Sequence, residues 1–241
     1  MEKYDLVVIG GGPAGYAGAM RAIDFKKKVL LVEKNRIGGA GVYDGVLTSK
    51  TLWELSQKVT SIREMSPDFV PNFDEINKTV KEAIFERKTQ MTVHLKLLES
   101  VMENQQFRYE KGHASFIDKH IIQIKKEDGS TKQVYAENVL IATGSRPRYL
   151  PHIPIDEKII MTSNGIRNLT SFPKSMVVLG AGVIGCEFAT IFAGFGLTKV
   201  YLIDKAERIL PFEDEDVAEV ISTSLESHGA TIHSGASLKR M

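Results

Sequence analysis

The chain has 241 residues, of which 43% are hydrophobic and 25% are charged. This length allows one large domain or two smaller ones, and a formal net charge of +1 leaves no basic excess that would neutralise the phosphates of a nucleic acid. No apolar run approaches the roughly 20 residues that a membrane-spanning helix needs, so we expect a cytoplasmic protein with neither a nucleic-acid nor a membrane partner.

The first predicted unit opens with a buried strand that ends in a glycine-rich turn. The apolar run at 6–9 leads into Gly10-Gly11-Gly12-Pro13-Ala14-Gly15 and a helix of small residues. This order of strand, tight turn and helix start matches the fingerprint that binds a dinucleotide pyrophosphate on backbone N–H groups. In such a turn Gly10 permits the bend, Gly12 lets the phosphates approach the backbone, and Gly15 lets the helix pack on the strand.

An acidic residue after the second strand supports the same interpretation. Residues 29–32 form another apolar run, and Glu33 follows it about 20 residues beyond the last glycine of the turn. A carboxylate at this place can accept hydrogen bonds from a ribose. The turn, the two strands and the acid together predict a dinucleotide site.

Helical patterns follow, and then short strands. Apolar residues recur at helical spacing from Thr48, and Asn72 is placed to cap a long amphipathic helix that runs to about Glu103. From Phe107 the spacing of apolar residues becomes that of short strands, with a turn at 128–130. This pattern predicts an antiparallel meander. A buried strand at 139–141 then ends in a second glycine-containing turn.

The second unit repeats the pattern of the first. The run Val177-Val178-Leu179 leads into Gly180-Ala181-Gly182-Val183-Ile184-Gly185, and Asp204 ends the next apolar run at a matching distance. We therefore predict an α/β chain with two Rossmann-like dinucleotide-binding units, one at 1–150 that includes the meander and one at 151–241. A doubly wound unit normally has further strands, so we expect the second domain to be incomplete.

Two such units imply two dinucleotides, and a protein that holds two usually moves a hydride or electrons between them. Five segments stand in order along the chain: Gly10 to Gly15 with Glu33, Gly38-Gly39 through Ser49-Lys50, Gly112-His113-Ala114, Ala142-Thr143-Gly144-Ser145-Arg146-Pro147, and Gly180 to Glu187 with Asp204. In these segments the chain resembles the flavoprotein disulfide reductases, the family that includes dihydrolipoamide dehydrogenase.

The resemblance implies FAD on the first unit and NADH or NADPH on the second. It also implies a longer homodimeric protein, of which a C-terminal FAD segment and a dimerisation domain are absent here. The expected FAD-binding residues are Gly10, Gly12, Pro13, Ala14, Gly15, Glu33, Lys34, Gly39, Ala114, Ala142, Thr143 and Gly144. The expected nicotinamide-binding residues are Gly180, Gly182, Val183, Ile184, Gly185 and Asp204.

The chain departs from the family at the redox disulfide. Aligned on Gly38-Gly39 and Ser49-Lys50, the two family cysteines correspond to Gly41 and Val46, and neither carries sulfur. The only cysteine is Cys186, so we expect no intrachain disulfide and no metal site, and a packing role for this residue. Soluble pyridine nucleotide transhydrogenases also alter these cysteines, although their pattern usually keeps one.

The resemblance assigns the candidate catalytic roles to Lys50, beside the flavin, and Glu187, its acidic partner. Asp204 favours NADH because a carboxylate repels a 2′-phosphate, whereas Lys205 and Arg208 offer cations that could accommodate that phosphate. We predict an FAD-dependent NADH oxidoreductase, dihydrolipoamide dehydrogenase-like, that passes electrons to an unidentified acceptor without a resident disulfide. The alternatives are a soluble transhydrogenase-like flavoprotein and a nucleotide-binding module without turnover.

Overall fold

The computed structural model describes residues 1–102 and 106–238, which divide into two compact units. The first unit contains Met1–Leu47 and Ile84–Arg146. The second contains Thr48–Ala83 and the chain from Pro147 onward. Residues 48–83, which the sequence prediction assigned to the first domain, therefore pack with the second unit, and the assignment of a cofactor to each domain stays a prediction.

The first unit is built on a six-stranded sheet. Its strands are β1 (Glu2–Ile9), β2 (Val29–Glu33), β3 (Phe107–Lys111), β4 (His113–Asp118), β5 (Ile121–Lys125) and β6 (Thr131–Ile141), in the order β3-β2-β1-β6-β5-β4. The first four strands in this order run parallel, while β6, β5 and β4 pair antiparallel as the predicted meander. The α/β class and the meander are thus confirmed.

Both faces of the central strands are buried. Val8 and Leu31 lie in a core cluster with helix α1 (Pro13–Asp24), whereas Val7 and Leu30 lie in a second cluster with residues of the meander. Because side chains alternate between the faces of a strand, two covered faces require a continuous apolar run. This requirement explains why residues 6–9 of β1 and residues 29–32 of β2 form continuous apolar runs.

Three helices follow, α2 (Gly39–Val42), α3 (Val46–Met65) and α4 (Phe73–Val101). The two long helices agree with the predicted pattern within a few residues, and α3 begins slightly before the predicted Thr48, whereas the short α2 lies in a glycine-rich segment for which no helix was predicted. Asn72 caps α4 as predicted, since its Oδ1 accepts hydrogen bonds from the backbone N–H of Asp74 at 2.9 Å and of Glu75 at 3.3 Å. The predicted helix end at Glu103 lies outside the described residues.

In the described residues the second unit has a three-stranded parallel sheet, a 3-10 helix (Ser163–Asn168) and two further α-helices. Strands β7 (Ser175–Leu179), β8 (Lys199–Ile203) and β9 (Thr231–His233) lie in the order β7-β8-β9, with α5 (Val183–Phe195) and α6 (Glu215–Ser227) in the connections. In the described part of the chain, none of the helices combines the length and the apolar composition needed to cross a membrane.

Helix α5 explains why residues 48–83 belong to the second unit. Nearly all of its side chains are apolar and most are buried, so the helix needs cover on several sides. Val59 of α3 and Ile76 of α4 join its core cluster. Thr60 donates to the carbonyl of Gly194 at 3.0 Å and Arg63 to that of Phe195 at 3.2 Å, which satisfies the end of α5.

Candidate functional site

The first glycine turn has the conformation that its sequence predicts. Gly10 has φ +107°, a value that side chains disfavour, and a Cβ there would overlap the carbonyl of Ala142. A Cβ at Gly15 would overlap the carbonyl oxygen of Gly10. Gly10 is therefore required for the bend, and Gly15 is required for the close approach of α1 to the end of β1.

Gly12 has a different role, because the space beside it is open. It is the N-cap of α1 in an extended conformation, and apart from its immediate surroundings in the chain no described atom lies within 4 Å of a Cβ built there. Pro13 follows at the first helical position, where its missing N–H costs nothing. The free N–H groups of the first turn of α1 thus face the open space beside Gly12. We call this space, bordered by the turn at 10–15, the first cradle. It is of the kind that binds phosphate, and a side chain at position 12 would fill it.

Glu33 is held against this turn. The side chain is 8% exposed; its Oε2 accepts a hydrogen bond from the Gly11 N–H at 2.6 Å, and its Oε1 accepts one from the Asn35 N–H at 2.6 Å. These bonds fix the carboxylate at the carboxyl end of β2, beside the cradle. Its position fits the predicted ribose-binding role, which stays a prediction.

The second turn repeats this construction. Gly180 has φ +104°, and a Cβ at Gly185 would overlap the Gly180 carbonyl oxygen. Gly182 is the extended N-cap of α5 with open space beside it. Asp204 Oδ2 accepts a hydrogen bond from the Ala181 N–H at 2.6 Å, and Oδ1 accepts one from Ala206 at 2.8 Å. The two cradles are therefore built from the same parts in the same roles.

Arg208 is engaged in the loop that follows Asp204. Its guanidinium donates to the carbonyls of Leu210 and Glu213 at 2.8 Å, and to those of Ile209 and Pro211 at 3.4 Å. Five N–H donors in a planar fork suit this clustering of carbonyls. Sequence reasoning treated Arg208 as a cation available to a phosphate and missed this clamp.

The other predicted FAD-binding residues lie either in the turn after β6 or on strand β4. The turn after β6 lies at the first cradle, because the Ala142 N–H donates to the Ile9 carbonyl at 2.8 Å and β1 pairs in parallel with β6. Thr143 and Gly144 continue this turn, and Gly144 has φ +72°. Ala114, in contrast, lies on β4, half-buried against the core of the meander.

The residues that flank the two cradles are positioned as follows. Ala14 and Lys34 are exposed next to the first turn, and Val183 and Ile184 are exposed in the first turn of α5. Gly39 lies near the first cradle, because a Cβ there would be 3.1 Å from Gly12 Cα. No three His, Cys, Asp or Glu side chains within residues 1–102 and 106–238 are grouped as metal ligands.

The position of the first family cysteine is closed in this chain. A Cβ at Gly41 would overlap Cγ of Pro13, an atom of a rigid ring. Arg36 covers the neighbouring segment, since its guanidinium lies 4.0 Å from the Tyr43 ring centroid and pairs with Asp44 at 3.5 Å. Val46, at the second position, is 60% exposed.

We expect Gly41→Cys to destabilise the fold by about 2 kcal/mol, because an added side chain overpacks a closed contact. Val46→Cys is the matched control and should leave stability unchanged, since that side chain is exposed. Urea unfolding of each variant measures the difference. A Gly41→Cys/Val46→Cys protein that folds normally and yields a disulfide in thiol titration would contradict the closed packing at Gly41.

Lys50 and Glu187 meet within the second unit. Lys50 Nζ on α3 contacts Glu187 Oε1 on α5, with the lysine side chain 59% exposed and the glutamate side chain 19% exposed. The buried Ser49 hydroxyl donates to the same oxygen at 3.0 Å. The structure therefore brings the predicted pair together and adds Ser49, for which no local sequence pattern gave a signal.

Cys186 lies on α5 and is the only cysteine of the chain. It is buried, and its Sγ donates to the Ala181 carbonyl at 3.4 Å. Burial, with a smaller contribution from the Asp204 carboxylate, raises the pKa of the Cys186 thiol to about 11. The group is therefore a protonated thiol at neutral pH, which fits a packing role and not that of a nucleophile.

Comparison with known proteins identifies the relatives of this chain. The family described as pyridine nucleotide-disulphide oxidoreductase matches residues 4–241. A dihydrolipoyl dehydrogenase from Bacillus subtilis (strain 168) is 35% identical over 237 residues, which cover 98% of this chain and 51% of the relative. A soluble pyridine nucleotide transhydrogenase from Colwellia psychrerythraea is 34% identical over 250 residues, which cover 100% of this chain and 52% of the relative.

Solved structures with a similar fold were also found. LpdA from Mycobacterium tuberculosis superimposes with a TM-score of 0.85 at 28% identity, covering 100% of this chain and 52% of that chain. The Cu(II) complex of the HOCl-induced flavoprotein disulfide reductase RclA from Escherichia coli gives a TM-score of 0.78 at 28% identity, covering 100% of this chain and 51% of that chain. The chain spans about half the length of the relatives it matches. With two like-built cradles and a family match over almost its full length, the chain belongs to the pyridine nucleotide-disulphide oxidoreductases.

Proposed function

We propose that this protein is an FAD-dependent NAD(P)H oxidoreductase of dihydrolipoamide dehydrogenase type that prefers NADH and works without a resident redox disulfide. The observation that carries the proposal is the repeated cradle. Each has a positive-φ glycine, a close-packed glycine, an open N-cap glycine and a carboxylate held on the turn. Two such cradles suit two dinucleotides better than one.

The residues of the first unit fit FAD. The open space at Gly12 and the N–H groups of α1 would hold the pyrophosphate, Glu33 would hold the ribose, and the turn at 142–144 would border the cradle. Bound flavin would supply a ring that accepts a hydride at N5. The protein's task is to bind and orient this group and to set the charge around it.

The residues of the second unit fit NADH better than NADPH. The Asp204 carboxylate lies where a ribose would bind, and it would repel a 2′-phosphate. The nearby Arg208 guanidinium is engaged with four carbonyls and so is a poor partner for a phosphate. Lys205 is the exposed cation that remains beside Asp204.

We expect Asp204→Asn to raise the NADPH-to-NADH ratio of kcat/KM about tenfold, because the substitution removes one repelling charge worth about 1.4 kcal/mol. The amide keeps an oxygen for the Ala181 N–H but presents an NH2 donor to the Ala206 N–H, so one of the two hydrogen bonds of the turn is retained. Lys205→Ala is the control and should leave the low NADPH activity unchanged. Wild-type protein that uses NADPH better than NADH would contradict the preference.

Lys50 and Glu187 are the candidate catalytic groups. Lys50 would place a fixed positive charge beside the bound ring, where negative charge develops on reduction, and Glu187 would hold that ammonium in place. Electrons would leave for a quinone, a dye, oxygen or a second nicotinamide. The closed position at Gly41 and the buried thiol of Cys186 support an exit that does not use sulfur.

A soluble transhydrogenase-like activity is the second candidate. Its support is the 34% identical transhydrogenase relative together with the altered family cysteines, although this chain also lacks the one cysteine that the transhydrogenase pattern usually keeps. In that case the acceptor would be an oxidised nicotinamide. A third alternative, a nucleotide-binding module without turnover, would bind FAD but would not be reduced.

Mixing the FAD-loaded protein with NADH in a stopped-flow instrument tests the proposal. The visible absorbance of oxidised flavin should fall at a rate that saturates with NADH concentration. Subsequent addition of a quinone, oxygen or a thio-analogue of NAD identifies the acceptor by the rate at which the absorbance returns. No fall at saturating NADH would overturn the oxidoreductase proposal and favour the binding module.

A further inference from the structure

Two donors on one helix converge on a single carboxylate oxygen. Ser49 and Lys50 are neighbours in α3, and both reach Glu187 Oε1 on α5. Successive residues of a helix point about 100° apart, so this oxygen must lie between the two side-chain directions. Glu187 is thus held from two sides, once by a hydroxyl and once by an ammonium.

The two donors differ in how firmly they can hold the carboxylate. The Lys50 side chain is 59% exposed, and an exposed ion pair is screened by water and loses side-chain entropy when it forms. Ser49 is 4% exposed, has one side-chain torsion, and donates at 3.0 Å to a charged acceptor. Hydrogen bonds to charged groups are stronger than those between neutral groups, and where water is excluded it does not compete with them.

We propose that Ser49 is a positioning residue that orients Glu187 and, through Glu187, the Lys50 ammonium. The buried hydroxyl fixes the orientation of the carboxylate, and the carboxylate in turn fixes the position of the exposed lysine ammonium. The contact itself is independent of any ligand, whereas its kinetic consequence rests on the proposed NADH oxidoreductase function.

Ser56 distinguishes positioning from simple packing. It lies two turns further along α3, is 0% exposed, and donates to the Trp53 carbonyl of its own helix at 2.7 Å. Ser56→Ala therefore removes a buried hydroxyl from the same helix without touching Glu187. It is a matched control for Ser49→Ala.

The kinetic experiment follows flavin reduction by NADH in FAD-loaded protein. Ser49→Ala should lower the limiting rate about tenfold, as expected for a lost hydrogen bond to a charged group, with the NADH concentration at half-saturation unchanged. Ser49→Thr keeps the hydroxyl and should restore most of the rate. Ser56→Ala should reduce flavin at the wild-type rate.

A double-mutant cycle tests whether Ser49 acts through Glu187. In a Glu187→Ala background, Ser49→Ala should cause no further slowing. Urea unfolding of wild type, Ser49→Ala, Glu187→Ala and the double variant gives a readout that does not depend on activity. The unfolding equilibrium should show a coupling factor of about five between positions 49 and 187. A second cycle with Ser56→Ala and Ser56→Ala/Glu187→Ala should be additive.

The outcomes separate the two proposals. If wild-type protein is not reduced by NADH, the proposed function fails, while the unfolding cycle still reports on the Ser49–Glu187 contact. If wild-type protein is reduced and Ser49→Ala is as fast as Ser56→Ala, the positioning role is overturned. Additive unfolding of Ser49→Ala and Glu187→Ala would likewise overturn it.

Discussion

Gly182→Asp is expected to weaken NADH binding by at least about 100-fold, or about 2.8 kcal/mol, while leaving the fold intact. Gly182 has φ −78° and open space around its Cβ position, so the backbone accepts a side chain there. Aspartate is also a favoured N-cap residue, which preserves the start of α5. Its carboxylate would occupy the cradle and repel the pyrophosphate.

Fluorescence titration with NADH and urea unfolding together measure this effect. Gly182→Asn serves as the uncharged control, since it has the same size and similar capping ability, and it separates steric exclusion from repulsion. Gly185→Ala is the opposite case, because its Cβ would overlap the Gly180 carbonyl oxygen and should cost about 3 kcal/mol of stability. Unchanged NADH affinity in Gly182→Asp would show that the cradle does not bind the nicotinamide.

Lys50→Ala is expected to slow flavin reduction by NADH about 100-fold while the protein keeps its FAD. Removal of one fixed charge from a site where charge develops has an effect of this size in other enzymes. Stopped-flow absorbance measures the rate, and the ratio of flavin to protein absorbance measures the FAD content.

Lys58 provides the control for this experiment. It is an exposed lysine on the same helix, so Lys58→Ala changes the net charge equally without touching Glu187. Wild-type reduction is expected for this variant. Loss of FAD from Lys50→Ala would show a structural role for Lys50, and an undiminished rate would remove it from the candidate catalytic groups.

Features that depend on short stretches of chain could be predicted from the sequence. The bends at Gly10 and Gly180 need a residue that tolerates positive φ, and the close contacts at Gly15 and Gly185 need a residue without Cβ. Both requirements are visible as glycines at set intervals after an apolar run. The meander and the cap at Asn72 were predictable for the same reason, since turn and capping residues act on their neighbours.

The sequence also predicted the partnership of Lys50 and Glu187, but only through a family resemblance. The two residues are far apart in the chain, and no local rule joins them. The functional meaning of their contact therefore stays a prediction, although the structure brings the two side chains together.

The amino-acid sequence alone thus determines the two glycine-rich turns, the acids that follow them and the absence of a second cysteine. Tertiary packing decides the other contacts. Residues 48–83 cover α5, and the Ser49 hydroxyl reaches Glu187. The Arg208 guanidinium binds carbonyls of its own loop, and the Pro13 ring fills the space beside Gly41. Local periodicity shows which face of an element is apolar, but not which distant element will cover it. These contacts join segments that are distant in the sequence or depend on the conformation of a loop, so they form only when each unit folds.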